Sequence, residues 1–370
     1  MPKQFREVYG MIAEADLLQT GFYVSRPNDP LEGLFETRQS DNLVAEWYTI
    51  ASEYQIPQMA QFHAFDTIAQ KSERAPIDER NIEKGLIKVK RNTSELLRQL
   101  LRRGVSNEEK LYDYVIDDNA QLSDQVVTRA KVARSEALST GTVTIAENGI
   151  NETIDYQVPA DQKNLVLDVG AGASTGIIEQ FDAIVDAATA KGVKLTGMIC
   201  PRSFVSKLRK NADLQKAISG TLQAGIMLSN SSLAQFLDDE FQISRIITND
   251  LTYSLPWTMP AQSATAADAT ERPVTDVRRY WPKDRVTFFG TVNGMYLGAD
   301  LWGVPPEIEI NGLGATVQGS TVSPYVYVTQ WAEKDPAVVW TKASALYMPA
   351  IYAPQSLFLA NIAETAAVSG

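Results

Sequence analysis

The sequence predicts an α+β fold, and three observations carry that expectation. A single helical periodicity runs for roughly 34 residues up to Gly141. Strand-like and helix-like stretches alternate from Leu165 onward. The C-terminus is dense in β-branched and aromatic residues, which favour strands.

Taken in chain order, residues 1–48 are polar and irregular, with a turn cluster at "SRPNDPLEG", and read as an N-terminal arm. Residues 49–92 read as an extended loop. Half of the residues from Lys71 to Asn92 are charged, among them Lys71, Glu73, Arg74, Asp78, Glu79, Arg80, Glu83 and Lys84. The strand-like pieces "MAQFHAFDTIA" and "GLIKVKR" flank them. So polar a segment buries too little apolar surface to order itself. Two readings stay open: a loose surface loop, or a long β-hairpin ordered by a neighbouring subunit, with those eight residues as the contact.

The best helix follows. Ser106 and Glu109 fit a capping box. Leu111, Tyr114, Val115, Leu122, Val126, Ala130, Ala133 and Ala137 then form an apolar stripe. Asp117, Asp118, Asp124, Arg129, Lys131 and Arg134 read as its solvated face. At 1.5 Å per residue the helix is about 50 Å long. A coiled coil is the alternative, but Asp118 interrupts the seam; a strut packed on a sheet fits better. "TVTIAE" and "INETIDYQV", joined by Asn148-Gly149, predict a hairpin.

"NLVLDVGAGASTG" reads as a strand (Val166–Asp168) entering a turn with Gly170, Gly172 and Gly176. A helix with Ile177, Ile178, Phe181, Ile184, Val185 and Ala188 on its apolar side follows. The turn resembles the first motif of Rossmann-type methyltransferases. The next strand, "VKLTGMICP", lacks the acidic residue that would hold a ribose. "PRSFVSKLRKNADLQKAIS" reads as one helix with Lys207, Arg209 and Lys210 on its wet side. "AQSATAADAT" is a loop, Arg285–Phe289 a strand, and Asn293-Gly294 a turn.

From Ala343 to Ala363 the chain carries no charge, about the length of a bilayer span. Pro349 and Pro354 would break a spanning helix twice. "YVYVTQW" and "AVVWTKAS" around a turn at Asp335-Pro336, with "SLFLANI", instead predict a buried antiparallel sheet holding Trp340.

Composition excludes several function classes. His63 is the only histidine, so a Ser-His-Asp triad or a multi-histidine metal site must use it or be absent. Cys200 is alone, so no internal disulfide forms, in keeping with a reducing cytosol. A net charge of −11 disfavours tight binding to a nucleic-acid backbone. The first residues, "MPKQFREVYGMIAEADLL", lack a signal peptide's apolar stretch. No catalytic, cofactor or metal residues are singled out.

The order of parts, with "IEKGLIKVKRNTSELLRQLL", "YWPKDRVTFFG" and "YVTQWAEKDPAVVWTKASALYMPAIYAPQSLF", resembles tailed-phage major capsid proteins of the lambda-type E family, from about residue 50 to 360. The resemblance implies the HK97-like fold: extended β-hairpin loop, long spine helix, peripheral-domain sheet and α/β axial domain. It divides the chain into arm 1–48, extended loop 49–92, peripheral domain 93–164, axial domain 165–325 and peripheral strands with tail 326–370. It implies a structural protein, not an enzyme, that self-assembles into hexamers and pentamers around genomic DNA. Expected partners are copies of itself, then scaffolding, portal and decoration proteins and packaged DNA, with no membrane. Its place would be the virion, after assembly in the host cytoplasm. Some relatives cross-link a loop lysine to a neighbour's asparagine; Lys71 and Lys84 lie in the matching region, without an assigned partner. The alternatives are another phage structural protein of tail-tube type, and an S-adenosylmethionine-dependent methyltransferase.

Overall fold

The computed structural model describes residues 29–40, 42–50, 59, 77–93, 108–147, 149–170, 173–220, 227–255, 277–290, 296–308, 318–322, 325–333 and 338–366. The expectations for Lys71, Glu73, Arg74, His63, Ser106, Gly172, the alanine-rich loop and the turns at Asn293-Gly294 and Asp335-Pro336 lie outside them.

The long helix α1 spans Glu108–Thr140. Leu122, Val126, Ala130, Ala133 and Ala137 are buried as expected, but so are Asn119, Ser123, Ser135 and Ser139. Small buried residues on more than one side of the helix let the two sheets approach it. Gly141 ends the helix at φ +74°, its N–H on the Ala137 carbonyl at 3.0 Å. A Cβ there would meet Val158 Cγ2 at 3.0 Å. Gly141→Ala is expected to lower stability by about 1–2 kcal/mol, read from the denaturant midpoint.

One layer is a six-stranded mixed sheet built on β16 (Val339–Ile351). Leu346 pairs with both Leu86 of β4 (Gly85–Thr93) and Gly303 of β13 (Gly298–Gly303), so those strands lie on opposite edges of β16. β15 (Val326–Ala332) continues the β13 edge and carries β14 (Gln318–Val322); β1 (Phe35–Gln39) joins β13 in parallel. The uncharged stretch is thus sheet interior, and no helix among the described residues is long and apolar enough to cross a membrane.

The second sheet has the order β7 (Leu165–Asp168), β17 (Leu357–Ala363), β12 (Arg285–Phe289), β8 (Gly197–Cys200), β9 (Arg245–Thr248). One face packs on α1, where Thr287 Oγ1 donates to the Leu138 carbonyl at 2.8 Å. The other face packs α3 (Ile177–Ala190), α4 (Arg202–Lys210), α5 (Ala212–Ser219) and α6 (Asn230–Phe241) around Phe181, Phe204, Phe288 and Phe358. The short α2 (Ala160–Lys163) precedes β7. The hairpin of β5 (Thr142–Glu147) and β6 (Ile150–Asp155) forms as predicted, with Gly149 at φ +87°. β10 (Thr252–Ser254) pairs with β11 (Val277–Arg279).

Several expectations change. "SLFLANI" joins the α/β layer rather than the β15–β16 sheet, while β13 and β14 join the large sheet from within the stretch 165–325. The predicted single helix breaks at Asn211, whose side chain caps α5 by accepting from Asp213 N and Leu214 N. The stretch 29–39 is anchored in the core rather than a free arm: Asp29, Leu31, Leu34 and Phe35 are buried. Lys131 and Arg134, expected on a wet face, are buried too.

Candidate functional site

The charged ribbon is built by β2 (Val44–Ile50) and β3 (Ile77–Glu83), paired from Val44↔Glu83 to Ile50↔Ile77. No third strand flanks it among the described residues. An isolated two-stranded ribbon is marginal in water, which agrees with the polar composition that predicted it. Asp78, Glu79 and Arg80 lie on β3, and Glu83 is exposed at its end near the body. "GLIKVKR", expected within the loop, is β4 of the large sheet instead.

Lys84 departs from the expected contact set. It sits between β3 and β4 with only 2% of its surface exposed. Its Nζ donates to the carbonyls of Ser40 and Asn42, each at 2.7 Å, and its backbone N–H to Leu43 O at 3.0 Å. It therefore ties the two legs of the ribbon to each other. Its burial also removes it as an accessible cross-linking lysine.

The face of the large sheet turned away from α1 is open in part: Lys88, Lys90 and Asn92 are exposed and Trp331 and Trp340 half-buried, while Tyr327, Thr329 and Ser344 are covered. Trp331, Trp340 and Asn92 form one cross-strand row; Thr329, Lys342 and Lys90 the next; Tyr327, Ser344 and Lys88 the third. The Trp331 and Trp340 rings stack with centroids 6.3 Å apart, and Lys90 Nζ lies 4.4 Å from the Trp340 ring centre. Glu307 joins Lys342, sits 3.4 Å from Lys88, and accepts from Ser344 Oγ at 3.2 Å. Burial alone would raise the Glu307 carboxyl, but the Lys342 and Lys88 ammoniums hold it below its usual value. Trp340 is half-buried, not the core residue expected, and its buried Nε1 has no partner among the described residues. Trp340→Ala is therefore expected to lower stability by only about 1–2 kcal/mol, against about 3–5 kcal/mol for a fully buried tryptophan such as Trp281. A thermal melt of the two variants side by side checks the ranking.

The glycine-rich turn is closed by the chain itself. A Cβ on Gly170 would come within 2.2 Å of the Thr365 carbonyl oxygen. Asp168 accepts from Gly170 N at 2.9 Å, Thr365 N at 3.0 Å and Thr365 Oγ1. β17 and β12 also separate β7 from β8, which a dinucleotide-binding sheet would set side by side. The tail thus occupies the approach a cofactor would need. Of the basic residues on α4, Lys207 pairs with Glu364 and Arg209 Nε donates to Leu228 O at 2.5 Å. No group of three or more histidine, cysteine, aspartate or glutamate residues among those described could hold a metal. Cys200 is buried, which pushes its thiol up to about 12 and leaves it inert.

One cluster was not anticipated. Arg134 of α1 pairs with Asp29 and, at 2.5 Å, with Asp300 of β13, all three buried. Tyr347 donates to Asp300 Oδ1 at 2.6 Å, and the Phe35 ring centre lies 5.6 Å from the guanidinium. Although burial opposes its charge, Asp300 and Asp29 hold Arg134 well above its ordinary value. Two carboxylates share this one guanidinium, and burial dominates at Asp300, whose carboxyl is raised. The signal for this cluster is long-range; nothing near Arg134 in sequence marks it.

The chain matches the family described as Phage major capsid protein E over residues 33–362. It is similar to the putative capsid protein of a prophage from E. coli CFT073, at 16% identity over 78% of this chain and 80% of that one, TM-score 0.48. It is also similar to a phage-related protein from Bordetella bronchiseptica RB50 (10% identity, 93% and 95% covered, TM-score 0.49). A third similar structure is the capsid of Myoviridae phage XM1 (10%, 90% of each chain, 0.46). A search of curated protein sequences found no match.

Proposed function

The chain belongs to the phage major capsid protein E family and is a capsid shell subunit, and from that premise we propose how its parts build the shell. The observation that carries the proposal is a ribbon, β2–β3, with no third strand among the described residues. Rings of identical subunits need contacts in which two different patches meet. The ribbon is one patch, with Lys71, Glu73, Arg74, Asp78, Glu79, Arg80 and Glu83 as its polar contacts. The outer face of the large sheet, with Trp331, Trp340, Lys88 and Lys90, is the other. Stacked indoles give it apolar area, and the lysines match a partly acidic ribbon. Contacts of modest strength repeated over many copies add up.

Hexamers and pentamers formed this way close around packaged double-stranded DNA. A subunit of net charge −11 suits that role, since a lining without strong positive charge lets DNA slide. Assembly in the host cytoplasm, with scaffolding, portal and decoration proteins as further partners, completes the proposal. Membership in a family of shell proteins makes the subunit structural. The closed turn at Gly170 argues against the methyltransferase reading.

Negative-stain microscopy with gel filtration of the purified chain tests this. Capsomers or shells far above the 40.8 kDa subunit mass are expected. A concentrated sample that remains a monomer would overturn the proposal.

A further inference from the structure

We propose that Lys84 is the residue that sets the exit angle of the ribbon, and that the angle, not merely the presence of the ribbon, decides whether subunits join correctly. This rests on the reading of the ribbon as an inter-subunit contact. The ribbon meets the body at Ser40, Asn42 and Leu43 on the way out and at Lys84 on the way back. A β-ladder alone resists stretching but bends and twists readily at its last pair. At this root the last pair is Val44↔Glu83, and Lys84 N to Leu43 O closes it.

The Lys84 side chain crosses to the outgoing leg and holds two of its carbonyls, Ser40 and Asn42. Ser40 N in turn donates to Trp302 O at 2.9 Å in the large sheet. A Cβ on Gly303, the next residue, would stand 3.1 Å from Lys84 Cδ, so the lysine stem lies against that strand. The Lys84 side chain therefore joins the incoming leg to the outgoing leg, and the Ser40 N–H and the lysine stem set that junction against β13. A methionine fills nearly the same volume without the penalty of burying a charge. It lacks the directed donors that fix two carbonyls at once. Lys84 is thus a positioning residue. β3 has seven residues, about 23 Å at 3.3 Å each, so a swing of about 15° at the root moves the far end by about 6 Å. A docking surface of paired aromatic rings does not tolerate a displacement of that size.

The test uses the full chain with spin labels at Asn81→Cys on the ribbon and Lys216→Cys on α5, diluted into unlabelled copies; the buried Cys200 is shielded from labelling. In the Lys84→Met variant the distance distribution is expected to broaden or shift by several ångströms, while the melting temperature stays within a few degrees. Assembly should give aberrant or heterogeneous particles. An unchanged distribution in Lys84→Met overturns the proposal. So does a large loss of melting temperature, which would make Lys84 a simple structural residue. If the distances change as stated but the parent chain itself never assembles, the root assignment stands and the reading of the ribbon as a contact fails.

Discussion

Arg134→Ala is expected to lower the unfolding free energy by about 3–5 kcal/mol, among the larger losses a single substitution in this subunit can cause. The loss does not measure the strength of the pairs. It measures what remains: Asp29 and Asp300, both buried, facing each other without a cation. Replacing all three residues by apolar ones of similar volume should be far milder, within about 1–2 kcal/mol of the parent, because the desolvation of three charges disappears together. Denaturant melts of the single and triple variants separate the two cases. The cluster matters to assembly because of what it joins. Asp29 leads into Leu31, Leu34 and β1, β1 leads to the ribbon root, and Asp300 lies on the strand paired with β1. Loosening Arg134 loosens the base on which the ribbon stands.

The same cluster predicts a pH dependence with a definite sign. Burial raises the Asp300 carboxyl in the folded state above its value in the unfolded chain. A raised folded value means that the native state binds this proton more tightly. The stabilising contribution is complete below the ordinary aspartate value near 3.9 and is lost as pH rises through the raised one. Other carboxylates run the opposite way: Glu307, Asp155 and Asp168 are held low and favour the fold at higher pH. The term is therefore read as a difference. The stability gap between the parent and Asp300→Asn should shift in the parent's favour as the pH falls from 7 toward the ordinary aspartate value near 3.9. A gap that does not change with pH would show that Asp300 keeps an ordinary value.

What the sequence made legible was local. The α1 periodicity, the Asn148-Gly149 hairpin, the strand Arg285–Phe289 and the apolar side of α3 were readable because each depends on neighbours a few residues away. The order of parts also pointed to the right family. Lys131 and Arg134 misled because a charge on a helix normally marks solvent; the carboxylates that allow Arg134 to be buried are 105 and 166 residues distant. Lys84 misled in the same way, standing within a charged run whose other members give no hint that one ammonium turns inward. "SLFLANI" was recognised as a strand, but alternation identifies a strand and not its partner, so its insertion between β7 and β12 could not be read. Leu31, Leu34 and Phe35 are too few, among too many polar residues, to announce a core.

Replacing residues 51–76 by a two-residue Asn-Gly turn should leave a folded subunit and abolish shell formation. The boundaries follow from register. Ile50 pairs with Ile77, so a tight turn there preserves the β2–β3 ladder and the Lys84 root. A deletion of residues 65–88, which the sequence alone would suggest, is the wrong experiment. It removes Lys84 and also Gly85–Lys88, which pair with Ser344–Tyr347 in the large sheet. That protein would fail by losing its core. Among the described residues the core of both layers lies outside 51–76, so circular dichroism and the melting midpoint are expected to stay near those of the parent. Assembly should fall to background by microscopy and gel filtration, since each subunit would lose its reach to the next. Full-sized shells from the shortened chain would show that residues 51–76 are not needed to close the ring. Loss of the melt would show that residues 51–76 belong to the subunit's own fold.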